Sequence, residues 1–192
     1  MFQLFETIRI NNGVAENLSY HQARVEQCAD INLIQIINCQ TLPSKGIHKF
    51  RFTYNTDGQI SNISITPYTP KNISSLKLVN CDSIYYALKS ENRDSLNKLS
   101  LLKENCDDIL IIKNGFITDT SFANIIFFDG SYWFTPSTPL LKGTARARLL
   151  EQNIIKEKEI KISDLQNFSK YMIINAMLPF DLNRAQSISS LY

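Results

Sequence analysis

The chain lacks any run approaching the roughly 18 unbroken apolar residues that a membrane-spanning helix requires. Its opening stretch, MFQLFETIRI, already contains Glu6 and Arg9 and so offers no apolar core of signal-peptide length. Residues that build metal or disulfide sites are also scarce. Cys28, Cys39, Cys81 and Cys106 are scattered with no CxxC pair, and His21 and His48 are the two histidines. That argues against zinc and leaves reduced thiols as the expectation. There is no excess of either charge: 20 Lys and Arg against 18 Asp and Glu leave a formal +2, which gives no strongly cationic surface for nucleic acid. Tyr132 and Trp133 could stack on bases, but with that charge they fit a hairpin core better. An anionic small molecule remains open, since one or two placed arginines can hold it. The expectation is a soluble cytoplasmic protein that contacts neither nucleic acid nor membrane. Its 192 residues suffice to bury a core without a metal or disulfide staple.

What is present alternates between strand and helix signals. Gln3 to Ile10 suits a strand, and Asn11-Asn12-Gly13 supplies left-handed backbone for a turn. Ser19 is the expected cap of a helix over Tyr20 to Ala29, followed by the short apolar segment INLIQII. His48 to Asn55 and Gln59 to Thr66 read as strands around Thr56-Asp57-Gly58. The turn-rich stretch YTPKNISS, residues 68–75, marks a division into a small α/β domain over residues 1–75 and a larger domain over residues 76–192. Beyond it the pattern predicts a helix over Arg93 to Leu102, a buried strand over Ile109 to Ile112 and a turn at Lys113-Asn114-Gly115. A meander through IIFF and SYWFTP follows, then a helix over Thr144 to Leu150 and a last strand over Tyr171 to Ile174.

The chemistry concentrates in residues 117–150, ITDTSFANIIFFDGSYWFTPSTPLLKGTARARLL. A carboxylate, Asp119, ends one strand, a short polar turn runs to Asn124, and a Gly-Thr step at Gly143-Thr144 opens a helix. Such a start offers backbone N–H groups and a positive dipole end, which is what a phosphate needs, although by itself a Gly-Thr step before a helix is more often an ordinary cap.

Taken in order, FETIR (Phe5 to Arg9), His21 with Arg24, Lys89, Asp119-Thr120-Ser121 leading to Asn124, Thr135-Pro136, Gly143 to Arg146 and Asn175-Ala176 resemble the fold-type IV pyridoxal 5'-phosphate (PLP) enzymes. These are the class IV aminotransferases, of branched-chain and D-amino acid type, and aminodeoxychorismate lyase. The resemblance spans nearly the whole chain. It implies an α/β (α+β) fold of two domains, like D-amino acid aminotransferase, with PLP in the interdomain cleft of a homodimer. It also implies a short member with a trimmed N-terminus, because only Met1 to Leu4 precede FETIR.

The resemblance makes Lys89 the catalytic lysine, whose amine takes the cofactor aldehyde and later serves as base. Lys98 and Lys103 sit further along, on the predicted helix, and read as solvated. Asp119 stands where the family commonly has glutamate and would pair with the pyridine nitrogen. Arg24, on a helix three residues after His21, corresponds to the phosphate-binding arginine. Thr144 and Ala145 would present backbone N–H groups to the same phosphate, with Asn175 and Ala176 completing the cup and Asn124 at the turn after Asp119. Arg93, in Lys89-Ser90-Glu91-Asn92-Arg93, falls where aminotransferases place a tyrosine. Together with NAMLPF, residues 175–180, it resembles the lyase branch. The implied activity is proton abstraction from an amino substrate, with aminodeoxychorismate going to 4-aminobenzoate and pyruvate. The alternatives are an amino acid aminotransferase and a relative that binds PLP without turnover. Read without the resemblance, Lys89 and Arg24 could be solvated surface residues, Asp119 a turn cap and His21 a packing histidine.

Overall fold

A computed structural model describes residues 3–192; Met1 and Phe2, half of the lead-in to FETIR, lie outside the described residues. The chain forms two compact units. One runs through Pro70 and takes in Leu88–Asn92, and the other comprises Lys71–Ala87 and Arg93–Tyr192.

In the first unit, β1 (Leu4–Asn11) turns into β2 (Val14–Ala15), followed by α1 (Leu18–Val25), α2 (Leu33–Asn38), β3 (Ile47–Tyr54) and β4 (Ile60–Pro67). The sheet order is β2-β1-β3-β4, with every pair antiparallel. Asn12 and Gly13 adopt positive φ at the first turn, as the Asn-Asn-Gly sequence predicts. Alternation puts Leu4, Glu6, Ile8 and Ile10 on one face of β1. The three apolar members pack with Val25, Leu33, Ile37, Phe50, Phe52 and Tyr54 in a single core.

The start of α1 differs from expectation. Asn17, not Ser19, is the cap residue, with φ at 56° and no side-chain capping bond, and the helix ends at Val25, short of Ala29. Asparagine tolerates left-handed backbone, so the chain enters the helix two residues earlier through a conformation that serine adopts poorly.

β2 covers only Ile10 and Asn11 of β1, which leaves the edge of β1 open at its start. Leu88–Asn92 fills it. Leu4 and Ser90 form an antiparallel bridge. The Phe5 N–H donates to the Lys89 carbonyl at 3.0 Å, and the Glu91 N–H donates to the Gln3 carbonyl at 2.9 Å. An unpaired edge is a row of unsatisfied donors and acceptors, so a segment distant in sequence is recruited to it.

The second unit contains β5 (Leu76–Asn80), α3 (Asp94–Ser100), β6 (Asp108–Lys113), β7 (Phe116–Thr120), β8 (Asn124–Phe128), β9 (Trp133–Pro136), α4 (Thr144–Glu151), β10 (Ile155–Lys158), β11 (Lys170–Ile174) and β12 (Gln186–Ser187). The order β10-β9-β8-β7-β6-β5 is extended by β11, which pairs with β8 and β12. β8 and β11 are buried on both faces, and their alternate residues enter different cores. Ile125, Phe127, Tyr171 and Ile173 pack with Leu110 and Ile117. Ile126, Met172 and Ile174 pack with Trp133, Leu149 of α4 and Ile155. Trp133 is buried as expected, whereas Tyr132 is 55% exposed with the Lys156 ammonium 3.8 Å from its ring centroid. The two residues are neighbours where the β8–β9 hairpin enters β9, so their side chains point to opposite sides. Among the described residues, no helix is long and apolar enough to cross a membrane, and no group of His, Cys, Asp and Glu could hold a metal ion.

Candidate active site

In the first unit the chemistry gathers around Glu6, a residue the sequence reading used only as part of a motif. Glu6 sits in the buried row of β1 and is 0% exposed. Its two oxygens accept from Arg24 Nε and Nη2, both at 2.7 Å, and the second also from His21 Nδ1 at 2.7 Å. His21 and Arg24 lie three residues apart on α1, which places both on one face of the helix.

Burial alone would raise the Glu6 carboxyl, but the Arg24 guanidinium and the bond from His21 outweigh it and hold Glu6 well below the usual carboxylate range. Burial pushes His21 down, opposed by Glu6 and reinforced by the charges of Arg24 and Lys89. The imidazole is therefore neutral at pH 7. Facing an ionised acceptor, Nδ1 must carry its proton, and Nε2 is left as an acceptor. Nε2 is buried with no hydrogen-bond partner among the described residues.

Lys89 lies on the strand-like segment paired with β1. Its ammonium is 4.5 Å from the centroid of the Phe5 ring, which also takes the Arg51 guanidinium at 4.6 Å. Phe5 and Glu6 alternate on β1, so the pairing that fixes the Lys89 backbone and the carboxylate that fixes Arg24 are consecutive residues of FETIR.

In the second unit, Asp119 is the penultimate residue of β7 and Asn124 begins β8, and the two are direct cross-strand partners. Asp119 is 5% exposed. It accepts from Asn124 Nδ2 at 2.8 Å and from the Leu141 N–H at 2.9 Å. Burial pushes its carboxyl up to about 6, against these bonds and the charge of Arg146. A buried carboxyl poised near neutrality, with no cation bonded to it among the described residues, suits a cationic ring nitrogen. Asn124 also donates to the Leu141 carbonyl at 2.8 Å and packs against Gly143, where a Cβ would overlap its amide oxygen. Asn124 thereby ties Asp119 to the start of α4.

Gly143 is extended and caps α4 with no side-chain bond. The first bond of the helix runs from the Ala147 N–H to the Gly143 carbonyl. The amides of Thr144 and Ala145, both buried, thus lie in the first turn, at the positive end of the helix dipole. Arg146 turns away from that role: its Nη2 donates to the Pro136 carbonyl at 3.0 Å and to Glu157 of β10.

Arg93 precedes α3 and donates through Nη2 to the Ser121 carbonyl at 2.6 Å, while the Ser121 N–H donates to Asp108 at 3.2 Å. The turn between Asp119 and Asn124 is thus held from both of Ser121's backbone groups. Asn175 Oδ1 accepts from the Met177 and Leu178 N–H groups, each at 2.9 Å, closing a turn after β11 with half-buried Ala176 inside it. A cavity of about 460 Å³ lies against Phe116 and Thr118 of β7 and is lined by Tyr85, Tyr86, Lys113 and Leu140 among others. None of the sequence-predicted site residues lines it.

A buried carboxyl pushed toward neutrality, a lysine on a strand-paired segment and a helix N-terminus are the kinds of group that a PLP-dependent enzyme uses. The family model for "Amino-transferase class IV" matches residues 41–180, and the chain belongs to that family, whose cofactor is PLP. A crystal structure of a candidate 4-amino-4-deoxychorismate lyase from Haemophilus somnus is 39% identical, covering 94% of this chain and 98% of that one, with a TM-score of 0.87. A Haemophilus influenzae protein of uncharacterised role is 38% identical over 187 residues, 92% of this chain and 98% of its own length. A candidate aminodeoxychorismate lyase from Schizosaccharomyces pombe is 27% identical over 145 residues, 73% of this chain and 58% of that protein. At 13% identity, the PLP-bound structure of a hypothetical aminotransferase from Mycobacterium tuberculosis, covering 98% of this chain and 81% of that one, shares the fold, with a TM-score of 0.73.

Proposed function

We propose that the protein is a PLP-dependent lyase that releases pyruvate from 4-amino-4-deoxychorismate and leaves 4-aminobenzoate. The observation that carries the cofactor assignment is the buried Asp119 carboxyl, tied by Asn124 to the start of α4. The lyase branch is favoured by the Haemophilus somnus relative, matched over nearly the full length of both chains.

PLP supplies an aldehyde for the substrate amine and a ring that accepts electrons. The chain's own residues do the rest. Lys89 is the cofactor lysine and, as a free amine, the base for the proton on the amino-bearing carbon of the substrate. Asp119 holds the ring nitrogen protonated, and its readiness to ionise near neutral pH suits that task. Arg24, the Thr144 and Ala145 amides and the turn at Asn175-Ala176 hold the phosphate. Asn124 and Arg93 act on the Asp119 side: Asn124 bonds to the carboxyl itself, and Arg93 fixes the intervening turn through Ser121. Loss of the enolpyruvyl group with a proton shift aromatises the ring, a driving force no amino acid substrate offers. A homodimer acting in the cytoplasm fits this reading.

The same residues would serve an amino acid aminotransferase, so the test compares the two. Purified protein loaded with PLP is given aminodeoxychorismate, and pyruvate and 4-aminobenzoate are measured. A parallel panel pairs amino acids with 2-oxo acids. Equal amounts of pyruvate and 4-aminobenzoate confirm the lyase; amino transfer without pyruvate release overturns it in favour of the aminotransferase. A yellow protein inert to both sets of substrates supports the binding relative.

A further inference from the structure

Glu6 is an expensive residue to place where it is. It occupies the row of β1 whose other members, Leu4, Ile8 and Ile10, are all buried and apolar, beside Phe50, Phe52 and Tyr54. A hydrophobic residue of similar volume in such a position commonly leaves a protein as stable or more so, so a buried ion pair calls for another use. The geometry supplies one. The carboxylate grips Arg24 along the edge formed by Nε and Nη2, and this two-point contact sets both the plane and the direction of the guanidinium. His21 Nδ1, bonded to one of the same oxygens, stops the carboxylate from rotating. The Arg24 side chain is 13% exposed, so the clamped guanidinium is largely withdrawn from solvent.

We infer that Glu6 is the positioning residue for phosphate capture: it holds the Arg24 fork in the bound orientation before the cofactor arrives, with His21 as the brace. The inference rests on the assignment of Arg24 to the PLP phosphate. A flexible arginine loses rotamer freedom when it takes up an anion, and one already clamped loses little. The clamp has an opposing effect as well, because the negative charge of Glu6 offsets part of the attraction of Arg24 for phosphate. The two effects have opposite signs when Glu6 is neutralised, and that separates orientation from charge.

The experiment uses the full-length protein stripped of cofactor, titrated in separate runs with PLP and with pyridoxal, which has the same ring and aldehyde but no phosphate. Absorbance reports binding, and the ratio of the two dissociation constants isolates the contribution of the phosphate from that of the ring. In Glu6→Gln the preference for PLP over pyridoxal is expected to fall roughly tenfold, the scale of one immobilised side chain. In an Arg24→Ala background, Glu6→Gln should leave the already reduced preference unchanged. If Glu6→Gln does not fold, Glu6→Asp, which keeps the charge but withdraws it by one methylene, should lower the preference in the same way. An unchanged preference in a folded variant overturns the inference and leaves Glu6 a packing group, since a structural loss would weaken both ligands alike. A raised preference overturns it too, because charge would then outweigh orientation. A wild-type protein that binds pyridoxal as tightly as PLP rejects the Arg24 assignment itself, and the inference falls with it.

Discussion

The amide oxygen of Asn124 lies so close to Gly143 that a Cβ at position 143 would overlap it, while the amide nitrogen of the same side chain bonds both Asp119 and the Leu141 carbonyl. The glycine is therefore needed for close approach; its φ of −71° is open to any residue. Gly143→Ala is expected to expel the Asn124 side chain from this position at a cost of about 1–3 kcal/mol, the usual range for overpacking. Asp119 then loses a donor to its ionised form, so PLP binding should weaken as well. Thermal unfolding and a PLP titration check both; a variant with wild-type stability and affinity would show that the contact relaxes freely.

The pairing of Leu88–Asn92 with β1 predicts how firmly Lys89 is held. Glu91→Pro removes the N–H that donates to the Gln3 carbonyl, and it leaves position 90 free to stay extended. The segment should peel from β1, and the Phe5 amide, which donates to the Lys89 carbonyl, should exchange its hydrogen faster by roughly tenfold, the weight of one net hydrogen bond. Native-state hydrogen exchange reads this directly. Unchanged protection at Phe5 would mean that side-chain packing, not strand pairing, holds the segment.

The turns and strands were legible because their signals are local. Asn12-Gly13 and Asn114-Gly115 adopt the positive φ that their sequences call for, and the run Ile109 to Ile112 is buried along its length. The motif order also pointed to the right family, because each motif is a short unit that carries its own chemistry. Contacts between residues far apart in sequence were not legible. Nothing within residues 88–92 says that they complete the edge of β1, because the vacancy is created by the shortness of β2. The role of Arg93 had the same difficulty: it bonds the Ser121 carbonyl, 28 residues away. Glu6 could have been found. A carboxylate in register with Leu4, Ile8 and Ile10 on a strand is buried by alternation, and a buried carboxylate must have cationic or hydrogen-bonding partners. A helix bearing His21 and Arg24 on one face was the natural source.

Lys89→Ala should fold normally, because the pairing with β1 uses backbone groups. It should also lose the covalent PLP adduct. Borohydride reduction of the PLP-treated wild-type protein, followed by peptide mapping, should find the modification at Lys89. An adduct of equal yield at another lysine in the variant would sink the assignment.

Asp119 makes the stability of the cofactor-free protein depend on pH in an unusual direction. Its folded value of about 6 lies above the ordinary value of 3.8, so the protonated form is favoured by folding. The stability this contributes is complete below pH 3.8 and is lost as pH rises through 6. Between pH 4 and 7 the wild-type protein should therefore lose on the order of 2 kcal/mol relative to Asp119→Asn, which does not titrate. His21 acts the other way: its folded value is depressed, so its contribution is present above 6.5 and is lost as pH falls. That contribution is common to both proteins and cancels in the difference. PLP should remove the effect, because a protonated ring nitrogen beside Asp119 favours the carboxylate and draws its titration downward. Denaturant unfolding of both proteins at several pH values, with and without PLP, measures all of this. If the wild type and the variant keep a constant difference across the range, Asp119 is already ionised in the free protein. If the difference varies with pH but ignores PLP, Asp119 only caps the turn that leads to Asn124.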